Sequence, residues 1–299
     1  PRVVLDSVYR KKSNESATWS ISPYYKLHLF DPDNPFYYDL GPRLRFRYDI
    51  KPSLVLEGTI EQSILSSFNE VKRGIKGKLP KVRTELKNYL NETSNSRVND
   101  LYLASYYKTG KNIYGRFTFG YLESMYAGLS SELIYSPSEK NYAFGIEFNK
   151  VKARDYDQLF GLRDLYNLAE SNGHISLYYD TNYYFYDAQI DYGKYLAGDK
   201  GYTLTLTRNF PNNWRAGGFF SITDASHADF GEGSFDKGFF FSIPFSSVLP
   251  YETKSGVSEL VRPIQGDGGQ RLNIPGRLNE VISQNRKHRL ITTWSKIWQ

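Results

Sequence analysis

The sequence contains no cysteine, so neither disulfides nor thiolate ligands contribute to this protein. Its four histidines, His28, His174, His227 and His288, are scattered without the spacing of metal ligands. No apolar run is long enough for a membrane-spanning helix. We therefore expect no metal and no cofactor, and any crossing of a membrane has to use strands.

Enzyme motifs are absent as well. The chain has no G-x-S-x-G, no H-E-x-x-H and no phosphate-cradling loop, and nothing points to nucleic acid as a partner. We therefore predict that the protein is not an enzyme. A hydrolase whose Ser-His-acid site is assembled across strands is the least favoured alternative, and its nearest hints are His174 and Ser176.

What the sequence does contain is aromatic residues in period-two alternation. Aromatic side chains make up 16% of the 299 residues, with 26 tyrosines and 19 phenylalanines. Within residues 36–48, for example, Leu44 and Phe46 alternate with Arg43 and Arg45. A strand with this pattern has one apolar and one charged face. Because most of the chain repeats the pattern, we infer that the apolar faces meet lipid and the charged faces meet a lumen.

Fourteen strand-like runs follow one another along the chain, most of them near the roughly ten residues that cross a bilayer. The sequence therefore predicts an all-β protein, a transmembrane antiparallel up-and-down β-barrel of about 12–14 strands with short helices in its long loops. A soluble all-β sandwich rich in tyrosine is the alternative fold. The predicted runs are 2–10, 17–30, 36–49, 51–64, 97–109, 111–123, 126–136, 140–152, 173–180, 182–195, 201–210, 213–223, 237–245 and 286–298.

The predicted strands belong to one barrel domain, residues 1–299, with long insertions. Apolar residues at helical spacing occur within 82–90 and 155–170, which predicts helices there. The chain begins at Pro1 without a signal-peptide pattern, so we expect that an upstream portion has been removed. The insertions, predicted as helical or irregular, are 65–96, 153–172 and 246–285.

Alternation also assigns charged residues of several strands to the lumen, where they are candidates for polymer binding. Three arginines of one strand form a row that suits a passing anionic solute such as an acidic polysaccharide. Alternatively, the arginines pair with carboxylates across the lumen and fill it. The sequence leaves both readings open. The candidates are Arg43, Arg45, Arg47, Glu57, Glu61, Arg116, Glu147, Asp187 and Asp191.

Glycine-rich stretches carry a family resemblance. Residues 230–244, FGEGSFDKGFFFSIP, resemble the signature "FGEGSFDKG…IP" of the YjbH family, outer-membrane proteins of exopolysaccharide and capsule operons. Together with further similar stretches, the resemblance spans most of residues 40–272. Those further stretches are 79–85, 120–132, 194–201 and 262–269.

The resemblance implies an outer-membrane β-barrel of a Gram-negative bacterium that takes part in export or assembly of an extracellular or capsular polysaccharide. Implied partners are outer-membrane lipid, the polysaccharide, and periplasmic or outer-membrane proteins of the same export system. The polar residues of the motifs are expected to pin the barrel rim or to line its entrance. They are Glu232, Asp236, Lys237, Arg262 and Asp267.

Two functions of different classes remain. The leading hypothesis is a conduit in which a charged, aromatic lumen passes the polysaccharide, with tyrosine and tryptophan rings stacking on sugar faces. The alternative is a membrane scaffold with a closed lumen, whose loops recruit periplasmic polysaccharide-processing partners.

Overall fold

One antiparallel sheet of fourteen strands contains most of the residues that the structure describes. The computed structural model describes residues 16–29, 34, 36–70, 78–91, 96–163, 171–181, 183–226, 235–245, 256–262 and 266–283. The strands are β1 Ser16–Leu29, β2 Phe36–Lys51, β3 Leu54–Gln62, β4 Leu65–Ser66, β5 Ser96–Gly110, β6 Ile113–Tyr121, β7 Tyr126–Tyr135, β8 Tyr142–Ala153, β9 Ser171–Asp180, β10 Tyr186–Lys194, β11 Lys200–Asn209, β12 Arg215–Thr223, β13 Asp236–Pro244 and β14 Gly256–Val261.

The strands pair in the order of the chain. β4 is the exception, because it lies beside β2 and leaves β3 to pair with β5. The all-β class and the antiparallel up-and-down order are thereby confirmed. Twelve predicted runs coincide with strands, and the other two, 2–10 and 286–298, lie outside the described residues.

The prediction was wrong in parts of the long connections. β4 lies within the predicted insertion 65–96, and β14 lies within 246–285. Neither strand has an amphipathic pattern: β4 has two residues, and β14 mixes polar and apolar side chains on both faces. Period-two alternation therefore could not find them.

The helix predicted over 155–170 was also wrong where the structure can be described, because residues 155–163 form an irregular loop. Buried Arg154 donates to the carbonyl oxygens of Gln158, at 2.6 Å, and Leu159, at 2.8 Å, and so holds the loop in shape. The described α-helices are α1, Leu86–Asn91, and α2, Leu278–Ser283, and Phe68–Glu70 form a 3-10 helix. Across the described ranges, no helix has both the length and the apolar character to span a membrane.

The distribution of polar and apolar side chains on the two faces of the sheet is the reverse of that in a soluble sandwich. On β8, Phe144, Ile146 and Phe148 point outward and are 50%, 54% and 51% exposed, whereas Glu147 and Asn149 point inward and are buried. The same alternation places apolar side chains outside on β6, β9 and β10. The sheet therefore hides its charges and exposes its apolar side chains.

The two ends of the strands also differ. One, the hairpin end, carries tight turns such as 52–53, 111–112 and 211–213. The other, the loop end, carries the longer connections, including 78–91 and 154–163. The largest apolar cluster lies at the loop end. Its buried members are Val82, Tyr89, Tyr102, Ala104, Leu122, Met125, Tyr126, Val151, Ala153, Leu196, Ala197, Leu272 and Ile274.

The first and last described strands approach each other at a seam. The side chains of Tyr25 on β1 and Glu259 on β14 lie close enough to interact, so the sheet curves through most of a turn. No backbone pairing joins β1 to β14 among the described residues. The ladder is therefore open at this seam.

A glycine on β6 allows close approach to β5. Gly120 has a φ of 136°, and a Cβ there would lie 2.4 Å from the backbone oxygen of Leu101. We expect Gly120→Ala to lower the free energy of unfolding by about 1–3 kcal/mol, measured by urea denaturation. Gly218→Ala is the matched control, since the nearest atom would be 3.5 Å away. Equal effects of the two changes would contradict this account.

Candidate functional site

A stretch of chain lies inside the curve of the sheet. Residues 266–283, which we name the internal strap, start at the loop end, where the Gly269 N–H donates to Asp199 at 2.8 Å. Farther along, Leu278 packs against Ile134 and Ala143, near the hairpin end. The internal strap therefore runs lengthwise along the inner wall.

Arg116, one of the predicted lumen residues, is fully buried beneath the internal strap. Its guanidinium group lies 3.1 Å from Glu132 and donates to the carbonyl oxygen of Pro275 at 3.1 Å. Glu132 accepts the N–H of Leu278 at 3.0 Å. The charge of Arg116 is thus used to hold the strap.

Two more predicted lumen residues, Glu147 and Asp191, bind arginines of the internal strap. Arg277 Nε lies 2.7 Å from Glu147 Oε2, and Arg271 Nη1 lies 2.7 Å from Asp191 Oδ2. Both carboxylates are buried. A buried carboxylate needs such a partner, because desolvation without one costs several kcal/mol. These pairs therefore fix the strap to β8 and β10.

The start of the internal strap is fixed to the loop end by Asp267. One carboxylate oxygen of Asp267 accepts the backbone N–H groups of Val82, Arg83 and Thr84, at 2.8–3.0 Å. The Arg83 guanidinium group in turn pairs with Glu123 at 2.8 Å. Stretches of the family resemblance that are far apart in sequence thus contact each other here.

The remaining rim residues divide into three cases. Asp236 is buried and pairs with Arg262 at 2.5 Å, and Arg262 also donates to Gln270 of the internal strap at 2.6 Å. Lys237 is exposed on the outer side of β13. Glu232 lies outside the described residues.

The predicted arginine row of β2 pairs mainly with the neighbouring strand. Arg43 lies 2.7 Å from Glu61, and Arg47 lies 2.5 Å from Glu57. Arg45, between them, is exposed. Two arginines of the row therefore pair with carboxylates, but on the adjacent strand β3 and not across the lumen.

Glu61 is the centre of a buried charge cluster. Besides Arg43, its carboxylate contacts Lys26 at 2.7 Å and Arg97 at 2.9 Å. Arg97 also pairs with Asp39, whose carboxylate accepts the Tyr24 hydroxyl at 3.1 Å. The cluster joins the inward faces of β1, β2, β3 and β5.

A cleft of about 750 Å³ remains between the internal strap and strands β9 to β14. Asp187 lines it and accepts a hydrogen bond from Asn209 at 2.7 Å. Asp191 lines it as well, paired with Arg271. The lumen candidates thus lie in three places: beneath the strap, along β2 and β3 with the Glu61 cluster, and at the cleft.

The residues that hinted at a hydrolase do not form a hydrogen-bonded triad. The Ser176 hydroxyl donates to Asp191 at 2.5 Å. Both imidazole nitrogens of His174 are buried and have no hydrogen-bond partner in the part of the chain that is described. In the same ranges, no three metal-ligating side chains are grouped as a metal site requires.

Several interior residues were not among the candidates. Arg97 and Glu132 lie on inward faces, so period-two alternation could have found them. Arg271 and Arg277 lie in a connection without periodicity, and no signal in a single sequence points to them. They bind residues about 80 to 130 positions away, which only the fold brings near.

We expect Glu147→Gln to lower the free energy of unfolding by about 3–5 kcal/mol, because it leaves the strap's arginine without its buried partner. Glu57→Gln is the control: its partner Arg47 is half-exposed, so the loss should be about 1 kcal/mol or less. Urea denaturation measures both, and limited proteolysis within 266–283 reports release of the strap. Similar losses for the two variants would contradict the anchoring role.

Comparison with known proteins assigns the family. Residues 2–284 match the model of the family described as exopolysaccharide biosynthesis protein YbjH. Over 268 residues the chain is 30% identical to the uncharacterized lipoprotein YjbH of Escherichia coli strain K12, covering 88% of this chain and 38% of that protein. The chain thus spans less than half the length of the relative it matches. It belongs to the YjbH family of exopolysaccharide biosynthesis proteins.

Proposed function

We propose that this protein is an outer-membrane β-barrel that takes part in export or assembly of an extracellular polysaccharide in a Gram-negative bacterium. The observation that carries the proposal is the inverted sheet, with apolar side chains outside and ion pairs inside. Membership of an exopolysaccharide biosynthesis family supports the proposal that the polymer is a polysaccharide.

The outer face supports a lipid environment. Phe119, Ile175 and Ile146 are more than half exposed and lie on β6, β9 and β8, within four consecutive strands of the sheet. A soluble monomer rarely exposes large contiguous apolar patches, because their contact with water is unfavourable. In a bilayer the same side chains meet hydrocarbon, and the inward charges are satisfied by one another.

Within this proposal the protein acts as a conduit. The internal strap lies against β6 to β8 and reaches β10 through Arg271, and the cleft leaves space between the strap and strands β9 to β14. Polar and aromatic groups of this wall suit a hydrated sugar chain. Partners would be lipid, the polymer, and periplasmic or outer-membrane proteins of the same export system.

One observation favours the scaffold alternative. The internal strap is tied to the wall at several buried contacts, as expected of a closed lumen. A scaffold would use the loop end to recruit periplasmic polysaccharide-processing partners, and Phe160 and Leu162 are exposed there. Conduit and scaffold then differ in whether the cleft conducts.

Insertion into lipid is tested on the outer face of β8. We expect Ile146→Arg to lower the yield of folding into phospholipid vesicles, because an arginine at mid-bilayer costs about 2–4 kcal/mol. Lys150→Arg, on the same face of the same strand, should fold like the wild type. If Ile146→Arg also folds like the wild type, the lipid-facing assignment fails.

Conduction is tested in planar bilayers. We expect the wild type to conduct ions and the double variant Arg271→Ala, Arg277→Ala to conduct more, because the internal strap loses its pairs with Asp191 and Glu147. Arg47→Ala is the control, since its pair with Glu57 lies away from the strap. If the wild type does not conduct and Phe160→Ser abolishes crosslinking to partner proteins, the conduit hypothesis fails and the scaffold hypothesis is favoured.

A further inference from the structure

We propose that the cleft between the internal strap and strands β9 to β14 binds an uncharged stretch of a glycan chain. The inference rests on the proposed function, in which the protein takes part in export or assembly of a polysaccharide. To that function it adds which part of the protein contacts the polysaccharide, and that the sugars in contact are uncharged.

The dimensions of the cleft suit an oligosaccharide segment. Its volume of about 750 Å³ lies within the roughly 300–1,000 Å³ of typical ligand sites. The internal strap forms one side of it, and the inward faces of the strands form the other. The cleft is therefore an elongated groove between a wall and a strap, which suits a chain molecule.

The wall offers hydroxyl and amide groups. Thr205 and Thr207 line the cleft from β11, Gln189 lines it from β10, and Ser242 and Ser258 line it where β13 meets β14. Hydroxyl groups both donate and accept hydrogen bonds, so they match the hydroxyl groups of a sugar in either sense. An array of such groups holds a sugar without requiring a charge.

Aromatic rings lie next to these polar groups. Phe219 of β12 and Phe240 of β13 line the cleft, while Phe239 points outward and is 50% exposed. The apolar C–H faces of sugar rings pack on aromatic rings, whose faces carry partial negative charge. Alternating polar groups and rings on one wall are what a glycan chain requires.

Most of the arginine charges at the cleft are compensated by carboxylates. Five arginines and six carboxylates line it. Four of the arginines are paired at 2.5–2.8 Å. The fifth, Arg215, also lines the cleft, and its buried Nε has no hydrogen-bond partner among the described residues. The pairs are Arg83 with Glu123, Arg262 with Asp236, Arg271 with Asp191 and Arg277 with Glu147.

This compensation argues against an acidic sugar. The carboxylate of a uronic acid in the cleft would lose its hydrating water, and no cluster of unpaired positive charge would compensate for this loss. It would also be repelled by the nearby carboxylates of Asp187, Glu259 and Glu280. The arginine row of β2, which suggested an acidic polymer, does not line the cleft. A neutral glycan has no carboxylate to desolvate and is not repelled by these side chains.

The experiment uses the purified 299-residue chain in detergent and an array of neutral and uronic-acid oligosaccharides, with affinities from calorimetry for those that bind. We expect neutral oligosaccharides to bind, and Phe240→Ala to weaken binding about tenfold through loss of the stacking contact. Phe239→Ala, its outward neighbour, is the matched control and should bind like the wild type.

A second pair of variants tests the hydroxyl groups without removing bulk. Thr205→Val with Thr207→Val should weaken neutral-sugar binding, whereas Thr118→Val, buried on β6 away from the cleft, should not. Preferential binding of uronic acids, equal losses for Phe239 and Phe240, or no binding at all would overturn the inference. If vesicle insertion and conductance persist in those cases, the proposed function survives without it.

Discussion

The structure depends on charge pairing inside the sheet. An inward-facing carboxylate such as Glu147 or Glu61 is removed from water, and this costs several kcal/mol unless cations stand beside it. The protein meets this constraint in two ways. Around Glu61, the cations come from adjacent strands. At Glu147, the cation is an arginine of the internal strap. The position of the strap therefore depends on the buried carboxylate of β8.

The loop end and the internal strap form one mechanical unit. Asp267 holds the backbone of 82–84, Arg83 reaches Glu123 between β6 and β7, and Arg262 links Asp236 to Gln270. An apolar cluster packs among these contacts. The cleft is therefore bounded by a strap that is fixed at both the loop end and the wall, and its width follows from those contacts rather than from the strands alone.

The sequence predicted what depends on local periodicity. The twelve described runs, the antiparallel order and the inward position of Glu147 all follow from period-two alternation. The internal strap could not be predicted, because its arginines follow no period and their partners lie on strands far away in sequence. The same limit explains the arginine row: alternation placed Arg43 and Arg47 on one face, but only the register of β2 against β3 sets them opposite Glu61 and Glu57.

The open seam has a consequence for the order of assembly. The internal strap follows β14 in the chain and lies within the curve of the sheet, so it has to turn inward from the last described strand. If the edges at β1 and β14 met first, the strap would have to be threaded lengthwise through an enclosed space. An order of assembly in which the strap docks on β6 to β10 before the edges approach each other avoids this threading.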